Sequence, residues 1–451
     1  MGPLRLALVV GCTLAALVQL WRVPRLWAFV LLFIVLVPKL PLAAVPGDPT
    51  PIRVDDVVIA TVLGGWLIAR VLGRRRPTPA SPVTPFLLLY GLVAAVTTLL
   101  GIGAEIARPS TAAFHFLRLV EYALLYYFFY CSIDPSELPD VVRVFRFALL
   151  TIVAIWVIQH GTGASVRGSL IDWATLYPSF SATYDFGGYI MLATIVLYAL
   201  WSTGADRGLL TTFGFVAGLY LLLNGDSRAS LLGLVVAVGF DLFLRLRWQV
   251  ALGLLAISAA TPYLINSRKM EGLLNVVFAL LTSFSADTVE RTFLSDPSIG
   301  LRLRNWQMAL ERWGQRPLVG DGLGAYLQYV RIYDQPGTPD GWYIRVLSES
   351  GLLGLLAFVL LIGGVSWSLL RAYAEETRPL HRAMIYGATL ALIGTSANAL
   401  LIDTFVSYKI MGVFWMIIAA GTRVAAQGAG LGARGAIDTV PRGYPPLPDP
   451  A

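Results

Sequence analysis

Three groups of polar residues stand out in an otherwise apolar chain. The first is Asn224-Gly225-Asp226-Ser227-Arg228-Ala229-Ser230, where Arg228 opens an apolar stretch. A cation at membrane depth is costly and faces a polar cavity, a partner or a substrate; pairing with Asp226 or snorkelling to the surface are the structural alternatives. The second group is Ser298-Ile299-Gly300-Leu301-Arg302-Leu303-Arg304-Asn305-Trp306, followed by Arg316-Pro317-Leu318-Val319-Gly320-Asp321-Gly322-Leu323-Gly324-Ala325-Tyr326. Arg302 and Trp306 share one helix face. The Gly-x-Gly-x-Gly run is open to phosphate approach through backbone N–H groups, and equally to an ordinary turn. No Gly-Lys-Ser/Thr follows it, which excludes a Walker loop. The third group runs from Pro339 to Gly354 and places Asp340, Arg345 and Glu349 at the start of another apolar helix. Asp340 suits a helix N-cap. Glu349, a carboxylate at the membrane boundary, suits either charge pairing or base work on a hydroxyl.

The elements that must position these groups follow from composition. Of 451 residues, 57% are hydrophobic and 14% charged, against roughly 25% charged in soluble domains. Apolar runs of about 18–22 residues, bilayer-crossing length, recur from end to end. A soluble or disordered chain is excluded, and the fold class is an all-α polytopic membrane protein. Hydropathy predicts about 12–13 transmembrane helices, centred near Leu14, Val35, Leu63, Leu92, Ala123, Ile152, Ala193, Phe215, Val235, Ile257, Leu360, Leu392 and Phe414. The first run begins near Leu6, shows no small-x-small cleavage site before Trp21, and is read as a span.

The net charge of +7 is topological rather than a nucleic-acid signal. Arg22/Arg25, Arg70/Arg74/Arg75/Arg76, Arg245/Arg247 and Arg371/Arg378/Arg382 lie in short alternate loops, which the positive-inside rule places in the cytoplasm. The segments at 159–182, 224–228 and 266–343 then face the opposite side. The expected organisation is N-terminal transmembrane helices over 1–265, a loop domain over 266–343, C-terminal helices over 344–425 and a disordered cytoplasmic tail over 426–451. The long loop carries Trp306, Trp313, Tyr326, Tyr329, Tyr333 and Trp342, an aromatic content that argues against disorder. Leu301–Trp313 has helical apolar spacing, and Leu273–Leu281 suits a piece lying in the interface. Other polar residues expected near the same face are Arg53, Asp55, Asp56, Arg167, Asp172, Asp185, Asn398, Asp403 and Lys409, with Arg118 and Glu121 spaced as an intrahelical pair. Cys12, Cys131 and the scattered His115, His160 and His381 form no metal or redox spacing.

In this order the three groups resemble the O-antigen polymerase/ligase family of bacterial envelope glycosyltransferases. The family's Ser-Arg at the outer start of a mid-chain helix is matched by Ser227-Arg228, and its Arg-x-x-x-Trp in a large periplasmic loop by Arg302 and Trp306. Its Pro-Leu-x-Gly-x-Gly-x-Gly segment is matched from Pro317 to Gly324. Its Tyr…Glu-x-Gly-Leu-x-Gly helix start is matched by Tyr343, Glu349, Gly351 and Gly354. The ligase branch carries His-Asn just before that Tyr; here the residues are Asp340 and Gly341, which favours the polymerase branch.

The resemblance implies a helical C-type glycosyltransferase (GT-C) fold in the bacterial inner membrane, with its site facing the periplasm. It implies undecaprenyl-pyrophosphate-linked oligosaccharides as donor and acceptor, and no metal or cofactor. Membrane lipids, a chain-length regulator and a flippase are the expected partners, and nucleic acid is not. Arg228, Arg302, Asp340 and Glu349 become the expected catalytic residues. Arg167, Arg304, Arg331 and Arg345 would assist at the pyrophosphate, and Trp306, Tyr326, Trp342 and Tyr343 would bind sugar. A ligase is the alternative within the enzymes. A transporter is disfavoured because neither broken helices nor repeated halves are expected from this sequence.

Overall fold

Proline at the first turn marks several helix starts, where its missing N–H costs nothing: Pro85, Pro109 and Pro379 each open a long apolar helix. The computed structural model describes residues 25–37, 41–43, 52–73, 80–161, 183–224, 227–245, 297–329, 331–332, 335–336 and 340–438. Its helices of more than ten residues are α1 (Leu26–Leu36), α2 (Val54–Val71), α3 (Thr84–Gly103), α4 (Pro109–Ser132), α5 (Leu138–Gly161), α6 (Thr183–Ser202), α7 (Leu209–Asn224), α8 (Arg228–Arg245), α9 (Pro297–Gln315), α10 (Trp342–Glu375), α11 (Pro379–Asn398) and α12 (Tyr408–Asp438). Two antiparallel pairs, β1 (Pro41–Ala43) with β2 (Ile52–Arg53) and β3 (Arg331–Ile332) with β4 (Gln335–Pro336), are the extended structure among the described residues.

Four described helices are long and apolar enough to cross a membrane by themselves: Thr84–Gly103, Asp185–Ser202, Trp342–Glu375 and Tyr408–Gly428. The chain is an all-α polytopic membrane protein. The expected spans at Leu14 and Ile257 and the interfacial piece at Leu273–Leu281 lie outside the described residues; the other expected centres fall on helices. The amphipathic helix expected at Leu301–Trp313 is α9.

Central and peripheral helices separate by burial. The apolar windows of α6 and α12 are 89% and 78% buried, whereas those of α3 and α10 are 28% and 33% buried and keep a lipid-facing side. α11 packs on α6, α8 and α12, and α10 packs on α3, α11 and α9. One end of the bundle is tied by ion pairs. Asp241 on α8 accepts from Arg245 (2.5 Å) and from the hydroxyls of Tyr198 on α6 and Tyr386 on α11. Arg146 on α5 meets Asp206 at 2.7 Å. The candidate site occupies the other end.

α12 runs on to Asp438. One expectation changes. α10 is broken at Gly351, which is non-helical at φ 65° and ψ −165°, so the absence of broken helices is not a property of this chain.

Candidate active site

The break in α10 is made by the glycine-rich segment ahead of it. Asp321 N donates to Ser348 O (3.0 Å) and Gly322 N to Glu349 O (2.8 Å). In return, Leu352 N donates to Pro317 O (2.9 Å) and Leu353 N to Leu318 O (3.2 Å). Interrupted backbone at membrane depth is tolerated where protein supplies the missing bonds, and this exchange supplies them. The close approach requires glycine on both sides. A Cβ on Gly351 would run into the Leu318 carbonyl, and one on Gly320, at φ 65°, would lie 2.6 Å from the Glu349 carbonyl carbon.

The glycine run is therefore a docking surface, not an open phosphate loop. Gly320 N donates to Arg316 O and Leu323 N to the Thr98 hydroxyl (3.4 Å), so the N–H groups of residues 320–323 all have protein partners.

The first turns of α10 carry the next layer. Asp340 does not cap the helix. Gly341 stands at the N-cap with φ 114°, and its pro-side-chain face lies 2.9 Å from the Trp306 indole nitrogen. The Asp340 carboxylate instead meets Arg302 Nε at 2.9 Å, and its backbone carbonyl accepts from the Trp306 indole. Burial raises the Asp340 carboxyl above the usual range, opposed by the Arg302 charge. Arg345 is 3% exposed and bonds in three directions: Nε to Glu349 Oε1 (3.2 Å), Nη1 to Asp403 Oδ2 (2.8 Å) and Nη2 to His115 Nδ1 (3.4 Å). A buried guanidinium needs such partners, since desolvation penalises an unpaired charge heavily.

The connection between α11 and α12, residues 399–407, joins these residues to the start of α8. Trp342 N donates to Ala399 O (2.9 Å). Asn398 Nδ2 donates to Ser230 Oγ (3.1 Å), and the Thr404 hydroxyl bonds Asn398 Oδ1. Ser230 meets Ser227 at 2.7 Å. Ala229, next to Arg228, shares one apolar cluster with Leu303 and Trp306 of α9 and with Leu401 and Ile402. Arg228, at the first position of α8, thus starts its helix beside the α9 face that carries Arg302.

Within this connection Asp403 stands apart. Its Oδ2 is held by Arg345, while Oδ1 is buried without a hydrogen-bond partner. Burial, against the opposing Arg345 charge and reinforced by Glu349 and Asp340, pushes its carboxyl up to about 7. Behind Arg345 and Glu349 lies a pocket lined also by Tyr90, His115, Arg118, Tyr122 and Trp342.

The other expected residues divide. Arg304 is exposed on α9; Arg167 and the Arg331 side chain lie outside the described residues. Tyr326 is fully buried with its hydroxyl donating to Asn305 O (2.9 Å), and Trp306 is 2% exposed. Tyr343 packs on Phe358 and donates its hydroxyl to Ser396 O (3.0 Å). Trp306 and Tyr326 anchor the segment to the bundle, because burying large aromatic area is what holds a loop down, while Tyr343, on α10, is half-buried. Trp342 alone of the four lines the pocket. Arg118 does not pair with Glu121; it meets Asp56 of α2 at 2.8 Å, where Asp56 also accepts from Arg53 N. His115, an isolated polar residue, is the member that spacing did not single out, and Asp403, expected only as a polar residue near this face, gains a partner in Arg345.

Comparison with known proteins fits this end of the molecule. Residues 213–359 match the O-antigen ligase family. The exopolysaccharide production protein ExoQ of Rhizobium meliloti (strain 1021) is 24% identical over 264 residues, covering 54% of this chain and 57% of ExoQ. The teichuronic acid biosynthesis protein TuaE of Bacillus subtilis (strain 168) is 20% identical over 361 residues, covering 75% of this chain and 70% of TuaE. The chain thus spans little more than half the length of ExoQ. The matched stretch begins in α7 and ends in α10, and so contains Arg228, Arg302, Asp340 and Glu349. Over residues 213–359 the chain is similar to the O-antigen ligase family.

Proposed function

We propose that this protein is a glycosyltransferase of the GT-C type that polymerises undecaprenyl-pyrophosphate-linked repeat units at the periplasmic face of the bacterial inner membrane. One observation carries the reading: Arg302, Asp340, Arg345 and the α8 residue next to Arg228, distant in sequence, gather around the 399–407 connection at one end of the bundle. The leaving group of such a transfer is a pyrophosphate, and guanidinium is the side chain best shaped to take it. Arg228 and Arg302 are assigned to that charge, which convergent cations stabilise as it develops. Asp340 holds Arg302 in place until the donor arrives, and Trp342, which lines the adjoining pocket beside Arg345 and Glu349, is the aromatic assigned to the acceptor sugar. A carboxylate of the cluster receives the proton of the acceptor hydroxyl.

Polymerisation is favoured over ligation by residues 340 and 341. Asp340 is engaged by Arg302, and Gly341 lies too close to Trp306 and to the Leu400 carbonyl (3.2 Å) for a side chain such as Asn. Ligation of the glycan to lipid A–core or protein remains the second reading, supported by the name of the matched family. Product analysis in a deletion strain separates the two. Single repeats on the surface support the polymerase, carrier-bound long chains support the ligase, and unchanged glycans contradict both. A flippase and a chain-length regulator are the partners such a polymerase would work with.

A further inference from the structure

Three carboxylates meet at this end of the bundle, and their surroundings differ. Asp340 is 31% exposed and is engaged by Arg302, the cation assigned above to the donor. Glu349 is 2% exposed, one helical turn beyond Arg345 on the same helix, and its backbone carbonyl is tied to Gly322. Asp403 sits on a connection between helices, anchored through Oδ2 by Arg345 at 2.8 Å, with Oδ1 buried and unpartnered. A buried carboxylate oxygen lacking a bond is an uncompensated desolvation that calls for an explanation, a catalytic role among them.

We propose that Asp403 is the proton acceptor for the attacking hydroxyl of the acceptor sugar, acting through Oδ1 while Arg345 fixes the carboxylate through Oδ2. The assignment rests on the glycosyltransferase reading above. In the step, the acceptor oxygen forms a bond to the anomeric carbon as the bond from that carbon to the phosphate oxygen breaks. The electron pair of the broken bond leaves with undecaprenyl pyrophosphate, held by Arg228 and Arg302. The hydroxyl proton passes to Asp403 Oδ1 and afterwards to water.

The groups facing Asp403 are Arg345 and Glu349 from α10, Asp340 from the segment before it, and His115 of α4 behind Arg345. Two further carboxylates against one directly bonded guanidinium favour uptake of a proton. A base works best with its proton affinity near the working pH, where burial places this group.

The test uses the purified full-length protein in lipid nanodiscs, undecaprenyl-pyrophosphate-linked repeat units, and extension rates measured from pH 5 to 9. The wild type is expected to gain activity as pH rises through about 7. Asp403→Asn should lose roughly 10²–10⁴-fold in rate, the usual contribution of a general base, while retaining labelled donor lipid and its unfolding temperature. Asp403→Glu should keep partial activity with a displaced acidic limb, and added formate should restore Asp403→Gly. Asp403→Asn within about tenfold of wild type, or an acidic limb removed by Glu349→Gln or Asp340→Asn instead, overturns the assignment. If Asp403→Asn does not fold, Asp403→Glu decides: a folded variant with the wild-type pH profile overturns it. A wild type that extends nothing overturns the glycosyltransferase reading itself, an outcome distinct from an active enzyme indifferent to residue 403.

Discussion

Arg302 Nε lies 2.9 Å from Asp340 Oδ2, across a join between α9 and the residue just before the N-cap of α10. The pair is partly open, at 23% and 31% side-chain exposure, unlike the buried Arg345 cluster beside it. A partly exposed guanidinium held by one carboxylate can be claimed by a phosphate, whereas one with three buried partners cannot without dismantling its surroundings. That difference separates the residue assigned to the donor from the residue assigned to architecture.

The two arginines should therefore fail differently. Arg302→Ala is expected to lose about 10²–10³-fold in extension rate, the size seen when a single oxyanion donor is removed, with little change in stability. Arg345→Ala leaves Glu349 and Asp403 buried without their cation and should cost about 3–5 kcal/mol of stability. Thermal unfolding of the two purified variants, alongside their extension rates, checks the contrast.

The glycine contacts predict a sharp positional effect. Gly320→Ala forces a Cβ to 2.6 Å from the α10 backbone at a φ of 65°, and should destabilise by more than about 1–3 kcal/mol, the cost of strain alone. Gly363→Ala, in the same helix α10 but with open space around its Cβ, should be neutral or stabilising by up to about 1 kcal/mol. Equal unfolding temperatures for the two variants would count against the docking of the glycine segment on the broken helix.

Tyr326 and Trp342 were both expected to bind sugar, and the structure separates them. Tyr326→Phe removes a buried hydrogen bond to Asn305 O and should lower stability by about 1–3 kcal/mol with an unchanged acceptor KM. Trp342→Ala should raise the acceptor KM beyond what its stability loss explains. Steady-state kinetics at a temperature where both variants stay folded measures the difference.

Asp403 also links pH to stability. Its carboxyl is raised in the folded protein from 3.8 to about 7, so between those values the folded state holds a proton that the unfolded state has released. The contribution of this group to stability is therefore fully present below 3.8 and is lost as pH rises through about 7. The difference in unfolding temperature between wild type and Asp403→Asn should shift against the wild type over that window, the same one in which catalysis is expected to switch on.

What was legible in the sequence was local. Arg228, Arg302 with Trp306, and the Asp340–Glu349 stretch each stand out because polar residues interrupt apolar periodicity, and α9 was visible from its own spacing. The meeting of these groups was not, because it depends on Asn398 and the 399–407 connection after it, where Asp403 and Thr404, like Asn398, are single polar residues with no repeat or motif around them. The glycine run misled for a physical reason: glycine permits close approach of any backbone, and here the partner is α10 rather than a ligand. Likewise Trp306 and Tyr326 are buried against the bundle, a packing that composition does not distinguish from sugar stacking.

The most direct test of the central claim is extension of undecaprenyl-pyrophosphate-linked repeat units by purified protein, comparing wild type with Arg228→Ala and Arg302→Ala. Longer lipid-linked glycan and released undecaprenyl pyrophosphate from the wild type, with neither from folded variants, is the predicted result. Full-length polymer from either variant, or none from the wild type, would contradict the account.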